Sequence, residues 1–285
     1  MGRLHTLKTW PVVGPASLHA RSAARQLGHR TPLRAAVAPL EGRLVFVLGS
    51  PRSGTTFLAG AIGSLPGFVD LGEVPPLKAA IPELTGLPAE QAASRLRRLL
   101  WPTRRLGGVA GLRGVEQTPE SAFVGDAILR AYPQATLVHL VRDGRDVVCS
   151  LLERGWLAPA RAGRDDAGAA FGSTARFWVE PGREAEFAEA GDARRCAWAW
   201  RRYVSAARSL GDAAHELRYE RLCTDPDAFA EELAAVLAVP ADAARSVVNP
   251  ARPESVGRYR RDLTAEQLVG VEAEAGELLG DLGYL

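Results

Sequence analysis

The stretch Gly49-Ser-Pro-Arg-Ser-Gly-Thr-Thr56 constrains this chain more than any other feature, because of what precedes it. It follows the continuous apolar run Arg43-Leu-Val-Phe-Val-Leu-Gly49, which reads as a buried parallel strand. The residues after it, Thr55 to Leu65 with Phe57, Leu58 and Ile62, read as a helix. A strand, a glycine-rich turn and a helix in that order make an anion cradle. Glycines let the backbone curl so that successive N–H groups point inward, and the helix start adds its positive dipole end. Compared with the nucleotide-triphosphatase loop G-x-x-x-x-G-K-[ST], Gly49, Gly54 and Thr56 fit, but Thr55 stands at the lysine position. The positive charge moves to Arg52, inside the loop, and Ser53, Thr55 and Thr56 add hydroxyl donors. A loop without the lysine that bridges outer phosphates suits a phosphate outside the β/γ pair of a triphosphate. The alternative is a glycine-rich turn that binds nothing; the full string P-R-S-G-T-T after a strand is the more specific signal.

The rest of the chain repeats the alternation. Ala135 to Val141 reads as a second buried strand, and Asp146 to Glu153 as the helix after it. Thr118-Pro119 predicts a helix with a hydroxyl cap, running to Tyr132 and stopped by Pro133. Helical signals fill 90–100, and a short strand falls near 215–219. Asp225-Pro226 opens another helix, with Phe229, Leu233, Val236 and Leu237 on its apolar side. Thr264 with Gln267 makes a capping box for the last helix, and Gly283 ends it. The expected fold class is α/β, a central parallel sheet flanked by helices. Residues 41–285 read as a single domain. Residues 155–195, rich in Ala, Gly and Arg with weak periodicity, read as a variable insertion or lid. Residues 1–40 hold six basic residues and no acidic one, and read as a basic extension.

From Pro51 to Thr56 the chain resembles the PAPS-dependent sulfotransferases, enzymes that use 3′-phosphoadenosine 5′-phosphosulfate and share a P-loop NTPase-like fold. Their 5′-phosphosulfate loop reads P-[KR]-[SA]-G-T-[TS]. A second match is Arg142-Asp-Gly-Arg-Asp-Val-Val-Cys-Ser150, after the strand ending at Val141. The resemblance implies that Arg142 and Ser150 hold the donor's 3′-phosphate, with Arg52, Ser53, Gly54, Thr55 and Thr56 around the 5′ end. Glu116-Gln-Thr-Pro119 is similar to the family's E-K-T-P segment, with Gln117 in place of a lysine. Leu217 to Leu222 is similar to its Y-E-D-L segment, which would put Tyr219 near the adenine. Ser255-Val-Gly-Arg-Tyr-Arg260 is similar to a late S-x-G-[RK]-W stretch that closes over the nucleotide, with Arg258 in the basic position.

The implied reaction is transfer of a sulfuryl group from PAPS to a hydroxyl or amine of a small-molecule or carbohydrate acceptor, leaving PAP. It asks mainly for positioning and charge stabilisation. Arg52 is the catalytic candidate on the leaving 5′-phosphate, and the resemblance implies that Glu73, standing where several sulfotransferases place a glutamate shortly after the first helix, is the candidate base. Two other classes stay open: a P-loop small-molecule kinase, in which Asp143 would imitate a metal-holding aspartate, and a non-catalytic PAP-binding protein, suggested by Gln117. His139, inside an apolar strand, reads as a core residue. Trp156 and Trp178 are candidate linings of an acceptor pocket, and Trp198 and Trp200 read as core. No metal site is expected. A formal net charge of +2 over 285 residues gives no support to nucleic-acid binding, and no apolar run of membrane-spanning length appears. Three scattered cysteines argue against a disulfide framework and point to a cytoplasmic setting. Acceptor and oligomeric state are not written in the sequence.

Overall fold

A computed structural model describes residues 44–110, 112–158, 176–248 and 253–285. The basic extension 1–40 and the middle of the predicted lid, 159–175, lie outside the described residues. The strands are β1 (Leu44–Leu48), β2 (Phe68–Gly72), β3 (Arg113–Glu116), β4 (Thr136–Val141) and β5 (Ala214–Arg218). They form one parallel sheet in the order β2-β3-β1-β4-β5 with helices flanking it, the predicted α/β class. All five residues of β1 and the last five of β4 are buried, as runs covered on both faces must be.

The chain divides into two compact units. Of the described residues, 44–47 and 56–137 fall in the first, and those of 48–55 and 138–285 in the second. In the first, β3 is flanked by β1 and β2, with Leu44 opposite Gly114 and Phe68 opposite Arg113. Its helices are α1 (Thr55–Gly63), α2 (Pro75–Leu84), α3 (Ala89–Ala110) and α4 (Gly125–Ala131). Helix α3 is tied to α4 by the Tyr132 hydroxyl donating to the Leu96 carbonyl and by Arg97 donating to the Arg130 carbonyl. The helix predicted from Thr118 to Tyr132 is two pieces. A 3₁₀ turn, Pro119–Val124, comes first and α4 follows. Thr118 does not cap it: its hydroxyl donates to the Glu116 carboxylate instead, a charged acceptor that outcompetes the helix start.

The second unit holds α5 (Gly144–Arg154), α6 (Glu184–Glu189), α7 (Asp192–Arg208), α8 (Tyr219–Thr224), α9 (Pro226–Leu237), α10 (Ala241–Val247), α11 (Tyr259–Asp262) and α12 (Ala265–Asp281). Both predicted caps form. Asp225 accepts from Ala228 N at the start of α9, and Thr264 and Gln267 close a reciprocal box on α12. Helix α7 packs on α5 and α12 and carries the aromatic core. Trp178, expected as a pocket lining, is instead fully buried, its ring 5.5 Å from Phe187 and 6.0 Å from Tyr203; apolar contact on every side outweighs exposure. Glu274, almost fully buried, takes Arg201 at 2.7 Å and Arg194 at 3.2 Å, with Arg183 at 3.7 Å. Glu180 accepts from Arg201 and from the Trp198 indole. These bonds fasten the far end of the 155–195 stretch to α7 and α12.

Candidate active site

Within the second unit, β1 ends at Leu48 and the chain turns sharply. A side chain at Gly49 would put its Cβ 2.6 Å from the Leu140 carbonyl oxygen of β4, so only glycine passes there. Ser53 N donates to the Ser50 carbonyl at 3.1 Å, closing a turn with Pro51 and Arg52 at its centre. Arg52 has φ +73°, a position where glycine or asparagine is usual. Gly54 follows at φ +95°, and a Cβ on it would meet the Tyr219 ring at 2.8 Å. The loop is thus shaped by β4 on one side and by the first residue of α8 on the other.

Two arginines meet at this loop, its own Arg52 and Arg142. Arg52 donates from Nε to the Ser150 hydroxyl at 3.0 Å, and its guanidinium lies 5.6 Å from the Trp156 ring centroid. Burial, then Arg154 and Arg142, push its pKa below the usual arginine value. A cation disfavoured by burial and by two other cations is relieved by an anion. Arg142, at the carboxyl end of β4 where open α/β sheets bind ligands, is only 6% exposed. It donates to the Arg52 carbonyl at 3.3 Å and to the Ser255 carbonyl at 2.6 Å, and stacks 4.5 Å over the Tyr219 ring. Its Nε, and the buried Ser53 hydroxyl, have no hydrogen-bond partner among the described residues. Buried donors left open in this way are costly unless a ligand satisfies them.

The surroundings fix these groups. The Trp200 indole donates to the Arg142 carbonyl at 3.0 Å, a contact the sequence does not announce because Trp200 carries only a core signal. Asp143 caps α5 and holds Arg145 through both oxygens, at 3.0 and 2.8 Å. Its carboxylate is therefore engaged by Arg145. Asp146 accepts from Gly257 N at 2.7 Å and Tyr259 N at 3.0 Å, fastening the late segment next to Arg142. The Tyr219 hydroxyl meets the Ser255 hydroxyl at 3.0 Å. Arg258, predicted at the nucleotide, is held by Glu153 and by Asp262, which raise its pKa.

The first unit holds the remaining candidates. The Thr56 hydroxyl, exposed, donates to Gln117 Oε1 at 3.1 Å. Glu73 pairs with Lys78 at 2.8 Å. Lys78 is only 5% exposed and also lies 3.5 Å from Glu120. Glu116 is buried at the end of β3 and accepts from Val74 N, Thr118 N and the Thr118 and Ser121 hydroxyls. Burial pushes its carboxyl up to about 7, with those hydrogen bonds opposing. Sequence reasoning passed over Lys78 and Glu120, because a lone lysine or glutamate in a helix reads as solvated surface.

A family model described as the Sulfotransferase family matches residues 99–243, just over half of the 285-residue chain. The chain belongs to the sulfotransferase family. The match takes in Arg142, Ser150 and Tyr219 and stops short of the loop 49–56, so the loop is independent support. Among solved structures, this sulfotransferase is similar to the sulfotransferase domain from the curacin biosynthetic pathway, with 15% identity, 82% of this chain and 96% of that one covered, and a TM-score of 0.51. It is also similar to sulfotransferase STF9 from Mycobacterium avium (16% identity, 96% and 88% covered, TM-score 0.48). A third is mouse sulfotransferase SULT7A1 complexed with PAP (16%, 93% of each, TM-score 0.49). At 15% identity the likeness to the curacin-pathway domain is one of fold. No curated protein matches the sequence significantly. No helix among the described residues of the sulfotransferase is long and apolar enough to cross a membrane.

Proposed function

We propose that the chain binds PAPS and transfers its sulfuryl group to a hydroxyl or amine of a small-molecule or carbohydrate acceptor, leaving PAP. The observation that carries this reading is the pairing, in one unit, of Arg52 and Arg142 with two buried donors, Ser53 Oγ and Arg142 Nε, that lack a partner among the described residues. Anionic oxygens complete such a set, and a bisphosphorylated nucleotide supplies them at both ends. Arg52, the loop amides and the hydroxyls of Ser53, Thr55 and Thr56 take the 5′ end. Arg142 and Ser150 take the 3′-phosphate, Tyr219 lies by the adenine, and Arg258 belongs to the segment that covers the nucleotide.

The donor supplies an activated sulfuryl group; the protein supplies place and charge. As the acceptor oxygen bonds to sulfur and the bond to the 5′-phosphate oxygen breaks, negative charge grows on that phosphate. Arg52 and the loop amides are fixed in advance to meet it, an effect of roughly 3 kcal/mol per donor. Glu73 takes the acceptor proton. Lys78, 2.8 Å away, holds that carboxylate in one place.

The test is calorimetric titration with PAP and with ATP separately, followed by an acceptor screen with labelled PAPS. Micromolar PAP binding with weak ATP binding is expected. Tight, magnesium-dependent ATP binding without PAP binding would make the chain a kinase-like protein. PAP binding without transfer to any acceptor class would leave it a nucleotide binder.

A further inference from the structure

Arg142 receives support from the opposite side of its strand end, through Glu220 and Tyr284. Glu220 follows Tyr219, the residue whose ring lies under the Arg142 guanidinium. Its two carboxylate oxygens are both used. Oε1 accepts from Asp143 N, the peptide directly after Arg142, at 2.8 Å, and Oε2 accepts from the Tyr284 hydroxyl at 3.0 Å. Tyr284 is itself gripped twice more. Its carbonyl takes Arg145 Nη2 at 2.5 Å, and the Arg218 guanidinium lies 5.1 Å from its ring centroid. Arg145 returns to Asp143 through both carboxylate oxygens, so the loop of contacts closes on the residue next to Arg142.

The chemistry of this ring is unusual for mere packing. Burial raises the pKa of Glu220 and of the Tyr284 phenol. A half-buried carboxylate spent on one backbone N–H and one phenol is a costly way to hold a turn. It is a direct way to fix the plane of a peptide, and the peptide it fixes sets the root of Arg142. A guanidinium fork binds a phosphate through two parallel bonds only if its root is held, and small displacements cost much of that gain.

We infer that Glu220 and Tyr284 are positioning residues for the donor's 3′-phosphate: they hold the Arg142 peptide so that its side chain is preset for a phosphate ester. The inference rests on the donor reading above. Neither residue touches the donor; both act through Asp143 and Arg142.

The experiment compares PAP with adenosine 5′-monophosphate, which lacks the 3′-phosphate, by calorimetry on the full chain. The wild type is expected to favour PAP strongly, and Tyr284→Phe, which keeps the ring and removes the hydroxyl, to lower that preference on the order of tenfold. Affinity for the monophosphate should change little. Glu220→Gln should act in the same direction. A general loosening of the fold would weaken both nucleotides together and lower the melting temperature in step, which would overturn the inference, as would an unchanged preference in Tyr284→Phe. A wild type without preference for PAP would instead remove the donor reading and the inference with it. If Glu220→Gln does not fold, Tyr284→Phe alone decides.

Discussion

A bulky residue held at positive φ costs on the order of 1 kcal/mol, and Arg52 is held at +73°. The turn closed by Ser50 and Ser53 imposes that conformation, and in return the Arg52 guanidinium leaves the loop beside Ser150 and Arg142's own anchor point. Arg142→Ala removes the fork; PAP affinity measured by calorimetry should fall at least about 30-fold, or ~2 kcal/mol. Glu73→Gln should leave PAP affinity intact and slow transfer by about two orders of magnitude or more in a labelled-PAPS assay. Normal turnover in that variant would take Glu73 out of the reaction. Glu116 makes a third prediction. Its carboxyl sits at about 7 in the fold against an ordinary 4.5, so the folded state retains a proton that the unfolded chain has lost. Stability therefore falls as pH rises from about 4.5 to 7 and levels off above, by at most about 3 kcal/mol. Glu116→Gln removes the titration and keeps an oxygen for Val74 N and Thr118 N. Its urea-unfolding stability, measured from pH 5 to 8, should decline less than that of the wild type; parallel curves would refute the shift.

Elements with a regular apolar signal were legible in the sequence, and those that borrow their packing were not. Strand β1 is an unbroken apolar run, β4 one interrupted only by His139 after its first residue Thr136, and β5 falls within a residue of the expected position. Strand β3, Arg-Gly-Val-Glu, has no such pattern, yet three of its four residues are buried. A Cβ on Gly114 would lie 2.7 Å from Leu71, so a side chain of β2 fills the space that glycine leaves. That exchange is a tertiary fact with no local trace. The cap at Thr118 failed for a similar reason, since Glu116 takes the hydroxyl that local logic gives to the helix. Helix α9 ends with Ala238 in the left-handed region at φ +52°, exposed to solvent, with Val239 N bonded back to the Ala234 carbonyl at 3.0 Å. This is the geometry that favours glycine. Ala238→Gly should therefore raise unfolding stability by roughly 0.5–1 kcal/mol, read as a shift of the urea midpoint at constant slope. A lower midpoint would show that the entropy cost of glycine dominates there.

For the whole molecule, the loop 48–55 belongs to the same compact unit as Arg142, Ser150 and Tyr219, although the chain on both sides of it belongs to the other. The motifs announced which residues carry phosphate chemistry. They gave no sign that Trp200 would fix the Arg142 carbonyl, because it is distant in the chain and carries no motif signal of its own. A ligand held by this set should protect it as a set. At about 100 times its dissociation constant PAP should stabilise the fold by ~2.7 kcal/mol. Hydrogen exchange should slow chiefly in the loop, in the first turns of α5, at the start of α8 and in residues 255–259. Protection confined to the first unit would contradict the assignment. Trp156 adds a practical consequence. Its half-exposed indole lies 5.6 Å beneath the Arg52 cation, so an anion that draws that charge away alters the local field on the ring. Intrinsic emission then reports filling of the loop in real time, and a stopped-flow trace needs no added dye.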